Sequence, residues 1–179
     1  MIIIVAVLAG GGNGDKPKTT NVVTLKSLPN YANTGATVSW TVQGRVNGDE
    51  MHRSIRVTVG ENERVLQVIQ GYNNQVITSQ VFPNNPAAYD VFLRSIGGQG
   101  FLLHAKPQKP PVSDNENGYC PLGYRYIYEL NQGDKELSRL WSSTCGTKVG
   151  TFGGAPSTLQ SLFQLQIPDY NQLTSGVQL

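Results

Sequence analysis

At 179 residues the chain can bury one sizeable core and is short for two. Charged residues make up only 15%, the net charge is +2, and Lys and Arg are scattered, so there is no case for a phosphate-tracking surface or for electrostatic capture of a partner; nucleic acid is not expected. Polarity comes instead from 14 Asn and 13 Gln, while 20 Gly and 10 Pro point to turns and strands rather than a helical bundle.

The N-terminus, MIIIVAVLAGGGNGDKPKTTN, runs apolar from Ile2 to Ala9 and passes into a Gly- and Lys-containing linker. The run is too short to span a bilayer, which takes about 20 residues, and it lacks the positive charge that precedes a signal-peptide core. Leu8-Ala9-Gly10 has the form of the start of a lipobox, but Gly11 stands where the acylated cysteine must be. Residues 1–20 are expected to be the end of a membrane anchor with its linker, Met1 being an internal start; the alternative is a buried first strand. Contact with a membrane is expected through this segment alone, and 21–179 should form a single domain.

Beyond the linker, NVVTLKSL (21–28) reads as a weak strand. ATVSWTVQGRV places Val38, Trp40 and Val42 on one face, and RSIRVTVG does the same with Ile55, Val57 and Val59. NGDE between them is a turn. RVLQVIQGYNNQVITSQVF reads as two strands around Gly71 to Asn74. Asn84-Asn85-Pro86 suits a helix start, followed by a stripe of Ala88, Tyr89, Phe92, Leu93 and Ile96 and a stop at Gly97-Gly98. FLLHA reads as a short strand. KPQKPPVSDNENG (106–118) is stiffened by its prolines and offers no apolar face, which predicts a surface loop.

Both cysteines lie in GYCPLGYRYIYELNQGDKELSRLWSSTCG. YRYIYEL and ELSRLWSST alternate as strands around the turn NQGD. A turn centred near Gly133 sets Cys120 and Cys145 nearly opposite each other just past the strand ends, where a disulfide can form. Such a pair in turn implies an oxidising compartment. Tyr124, Tyr126, Tyr128 and Trp141 are candidates for an aromatic surface; the alternative is that they cover the last helix. That helix is expected over Ala155–Gln166, with Leu159, Leu162, Phe163, Gln166 and Ile167 inward and Pro168 as the stop. GVQL at the end can return as an edge strand. The whole reads as α+β: an antiparallel sheet of about six or seven strands with two helices packed on it, in strand-strand-helix order in each half.

No GxSxG, HExxH, P-loop, GxGxxG or CxxC is present. His52 and His104 lack ligand-like spacing, and SDNENG (113–118) has oxygen ligands at alternate positions without the rest of a calcium loop. Catalytic residues, metal ligands and cofactors are therefore not expected. The expected function is that of a non-catalytic, extracytoplasmic domain at the cell surface, binding a protein or cell-envelope partner.

Two resemblances accompany this reading. QGYNNQVITSQVFPNNPAAYDVFLRSIGGQGF, RLWSSTCG and LFQLQIPDY look like stretches of uncharacterised surface proteins from small-genomed, host-associated bacteria, which implies a compartment and no activity. The order RVTVG, a strand pair, PAAYDVFLRSIGG, a loop, CPLG, a strand pair and TCG is similar to the bacterial subtilisin-inhibitor family. That resemblance implies a bait loop anchored at Cys120 and Cys145, rigidified by Pro121, with Leu122 entering a protease pocket and Gly123 following the scissile bond. The family's other disulfide is absent, Tyr89 standing where its helix cysteine would fall. Against that role, Leu122 is expected in the core beneath the hairpin.

Overall fold

The computed structural model describes residues 27–146 and 149–179, so the expected anchor and linker and nearly all of the weak strand at 21–28 lie outside the described residues. Leu28 opens a 3-10 turn, Leu28–Tyr31, that packs on the core. Six strands follow: β1 (Ala36–Gln43), β2 (Arg53–Val59), β3 (Glu63–Gln70), β4 (Gln75–Pro83), β5 (Arg125–Gln132) and β6 (Lys135–Ser143). They form one antiparallel sheet in the order β4-β3-β2-β1-β5-β6. Helices α1 (Pro86–Gly98), α2 (Pro156–Gln164) and the short α3 (Tyr170–Thr174) complete the α+β arrangement.

The alternation of β1 builds the molecule's two layers, because successive side chains in a strand point to opposite faces. On one face a row runs across five strands through Leu66, Val57, Trp40, Tyr128 and Leu140, all buried. The helices cover this face. Tyr89, Phe92, Leu93 and Ile96 of α1 and Leu159 and Phe163 of α2 enter the core, with Phe92 and Phe163 edge to face at 5.1 Å. The Tyr89 hydroxyl, deep in this layer, donates to the Ala36 carbonyl oxygen at 2.8 Å. α1 starts where its sequence predicts: Asn85 accepts a hydrogen bond from Ala88 N, and Pro86 fills the first turn.

Three expectations need correction. FLLHA makes one isolated bridge, His104 to Phe152, because Phe101 is drawn into the helix-side core and Gly100 turns the chain at φ +78. GVQL forms no strand: Val177 and Leu179 pack against the core, with Leu179 lying over Gly44 at the end of β1. The Pro-rich stretch 106–118 is more than a solvated loop. Its far end folds onto the second face of the sheet, where Glu116 is buried and Trp141 Nε1 donates to the Ser113 carbonyl oxygen at 2.9 Å.

Candidate functional site

The second face of the sheet carries the polar half of each alternating strand. Cross-strand pairing assembles Ser39, Glu129 and Arg139 in one row, Arg56, Thr41, Ile127 and Trp141 in the next, and Ser54, Gln43 and Arg125 in a third. Ordinarily such a face is solvated. Here Ser39, Thr41, Ser54, Glu116 and Arg125 are buried, as is His52 at the end of the β1–β2 loop. Two loops wall the face, 44–52 from one side and 106–118 from the other, leaving a cleft of about 630 Å³ between them.

The hydrogen bonds divide the cleft into a satisfied half and an unsatisfied half. In the first, Arg139 donates to Glu116 Oε2 at 2.6 Å and lies 3.6 Å from Glu129 Oε1. Gln43 Nε2 donates to Glu116 Oε1, and Ser39 Oγ to Glu129 Oε2, each at 2.9 Å. One arginine thus serves both carboxylates. In the second half, Arg125 is 3% exposed; one of its Nη atoms donates to the Gly44 carbonyl oxygen and its Nε has no partner. Arg56 donates through Nε to Thr41 Oγ1 at 3.2 Å. Among the described residues the ion pairs involve Arg94 and Arg139 and leave Arg56 and Arg125 without a carboxylate. Burial holds the Arg125 pKa below its ordinary value, partly offset by the charge of Glu116. A buried guanidinium without an acidic partner is costly, since buried charges are normally paired.

His52 forms part of the wall. Its ring stacks on Tyr72 at 4.3 Å and 10°. Its Nδ1 faces the Arg45 carbonyl oxygen at 3.0 Å, so that nitrogen carries the proton. Burial keeps its pKa below the usual value, leaving the ring neutral. Tyr72 is itself pinned by Asp49 Oδ1, which accepts from its backbone N–H, and by Asn47. Among the described residues no group of three or more His, Cys, Asp or Glu side chains could hold a metal ion, and no helix is long and apolar enough to cross a membrane. The larger hollow beside Gly97 to Gly100 and Gly153-Gly154, about 800 Å³, is lined by glycines and apolar side chains such as Leu28, Leu102 and Leu103 and brings no charged pair together.

Cys120 and Cys145 form a disulfide with Cα atoms 5.3 Å apart. Pro121 lines the cleft, and its carbonyl oxygen accepts from Val46 N at 2.8 Å, tying the disulfide turn to the opposite wall. Leu122 is 82% exposed, against the expectation of a core position. It sits at the tip of a turn that Gly123 N closes onto the Cys120 carbonyl oxygen at 3.2 Å, so its side chain points away from the hairpin.

The four aromatic candidates do not share a surface. Tyr124, Tyr126 and Tyr128 lie against the helix-side core, with Tyr128 stacked on Phe152 at 4.0 Å. Trp141 pairs with Ile127 and therefore points to the opposite face, where Tyr119 packs on it at 5.0 Å. Strand pairing gathers Arg56, Arg125 and Arg139, scattered along the sequence, on one face. No family model matches the chain, and neither a curated protein nor a solved structure shows significant similarity to it.

Proposed function

We propose that this chain is a non-catalytic, extracytoplasmic binding domain, tethered by its N-terminal segment, whose polar cleft accepts an exposed carboxylate of a protein partner. One observation carries the reading: Arg125 is buried in the cleft wall with an unpartnered Nε and no acidic side chain paired to it. A carboxylate entering the cleft that Arg125 lines supplies the guanidinium with the counter-charge that the fold does not. The cleft volume suits one or two residues of a polypeptide. The non-catalytic part rests on carboxylates already committed to Arg139, Gln43 and Ser39 and on a His52 whose Nδ1 is held by the Arg45 carbonyl oxygen and whose ring is stacked on Tyr72. The disulfide supports an oxidising compartment.

The test is calorimetric titration with a glutamate-rich peptide and with its glutamine-substituted, C-terminally amidated counterpart. The acidic peptide should bind, the neutral one should not, and Arg125→Met should weaken binding at least tenfold while circular dichroism stays native. Equal binding of both peptides, or an Arg125→Met variant that binds as well as the native chain, refutes the reading.

Inhibition of a serine protease is the second reading, and the exposed Leu122 on a disulfide-anchored turn favours it. The backbone weighs against it. Cys120 has φ +51 and the turn closes over a single pair of residues, whereas a protease grips its bait as an extended strand. The expected result is no inhibition of subtilisin or chymotrypsin at micromolar protein; stoichiometric inhibition abolished by Leu122→Asp would reverse the preference.

A further inference from the structure

The two edges of the sheet are treated differently. The C-terminal end of the β6 edge is covered: Phe152 N donates to the Trp141 carbonyl oxygen at 2.9 Å, Trp141 N donates to Thr151 Oγ1 at 3.1 Å, and Ser142 bridges to Gly150. This strand also carries Lys135, Glu136 and Arg139. Along β4 the picture reverses. QVITSQVFP contains no charged residue, nearly all of it is exposed, and Val81 (59%), Val76 (44%) and Ile77 (44%) stand in solvent. An uncharged, exposed edge strand of this length is a template for another strand.

The strand's own sequence identifies its occupant. About Ser79 the polarity reads alike in both directions: Thr78 and Gln80 flank it, then Ile77 and Val81, then Val76 and Phe82. The backbone phase agrees. Asn84 N donates to the Asn62 carbonyl oxygen, on the β3 side. With the period of two in an antiparallel ladder, Phe82, Gln80 and Thr78 turn their backbone groups toward β3, while Val81 and Ser79 turn theirs outward; Ile77 is the extra residue of a bulge. A second β4 placed antiparallel about a two-fold axis at Ser79 therefore meets outward groups with outward groups at the axis, and brings the side chains of Ile77 and Val81 together twice. The register shift next to Ile77 and the missing N–H of Pro83 limit the pairing to this central stretch.

We propose that two copies of this chain pair through β4 about a two-fold axis at Ser79, joining their sheets into one. Because the β6 edge is covered at one end and carries Lys135, Glu136 and Arg139 along the rest, the pairing closes at a dimer and does not run on into a fibre. It is independent of the cleft reading, since no cleft charge takes part.

Sedimentation of the full chain over a range of concentrations tests this. A monomer–dimer equilibrium is expected, and Ser79→Lys, which brings two like charges together at the axis, should raise the dissociation constant at least tenfold. Ser79 is exposed, and an unchanged circular dichroism spectrum verifies that the variant folds. A second measurement fixes the register. Two facing residues of a hydrogen-bonded pair lie about 5.5 Å apart at Cα, within disulfide reach, so Ser79→Cys should cross-link under mild oxidation. The Gln80→Cys variant should not, because its copies fall on a diagonal of about 7–8 Å. A chain that remains monomeric, a dimer indifferent to Ser79→Lys, or cross-linking at Gln80 as fast as at Ser79 each overturns the proposal.

Discussion

Gly123 shows how tightly one position can be specified by its neighbours. A Cβ there lies 2.6 Å from Cys120 Sγ, 2.5 Å from Thr144 Oγ1 and 3.0 Å from Cys145 Sγ, distances that ordinary packing does not tolerate. Gly123→Ala should therefore destabilise the domain by about 1–3 kcal/mol, the usual range for overpacking, as read from the urea midpoint; an unchanged midpoint means the turn yields freely. The adjacent Leu122→Asp should stay within about 0.5 kcal/mol, since it alters a solvated tip. His52 adds a pH dependence with a definite sign. Burial places its folded pKa below the unfolded value of 6.5, with the charges of Arg125 and Arg53 acting in the same direction, and the Arg45 carbonyl and Asp49 opposing. Below 6.5 the unfolded chain binds the extra proton, so stability present above that value is lost as pH falls toward the folded pKa. Urea midpoints should fall between pH 7.5 and pH 5, and His52→Phe should flatten the slope; equal slopes in both proteins exclude His52 as the source.

At the scale of elements, what the sequence discloses is governed by range. α1 was readable because its signals are local: a capping asparagine, a proline in the first turn and four buried residues at helical spacing. Asn85→Ala removes the cap to Ala88 N and should cost about 1 kcal/mol, measurable by thermal melting, with an Asn85→Ser variant close to the native value. The strands were readable from period-two alternation for the same reason. The cleft was not, because it depends on which strands become neighbours: Arg56 is far in the chain from Arg125 and Arg139 of the last hairpin and joins them only once β1 pairs with both β2 and β5. A sharper use of parity was possible within the last hairpin. Any even pairing sum sets Trp141 opposite an odd-numbered residue, here Ile127, and so off the face of Tyr124, Tyr126 and Tyr128. Glu116 lay hidden in a loop whose composition resembles solvated chain. Its burial follows from a partner, Arg139, that no local pattern names.

Across the whole molecule, the division of labour between the two faces determines what the disulfide can affect. The helix-side core, from Leu66 across Trp40 to Leu140 and up into α1 and α2, is continuous and does not involve the cysteines. Cys120 and Cys145, 25 residues apart, instead close the β5–β6 hairpin on the cleft side and tether the turn whose Pro121 carbonyl holds Val46. Reduction should thus lower stability without abolishing the fold. A loop of this size is worth about 3 kcal/mol on the chain-entropy account. For a domain of this length that corresponds to a fall in melting temperature on the order of 10 °C. The loss should be uneven: amides of β5, β6 and 106–118 should gain exchange on reduction, while those of β1, β2 and α1 keep their protection. Hydrogen exchange with and without reductant distinguishes the outcomes. A uniform loss of protection means that the disulfide supports the core itself; no loss anywhere means that the hydrogen bonds and ion pair of the cleft wall hold it without the disulfide. The expected pattern couples redox state to the cleft more strongly than to the fold, so Arg125 should remain folded into the sheet yet bind the proposed carboxylate less well when the thiols are free.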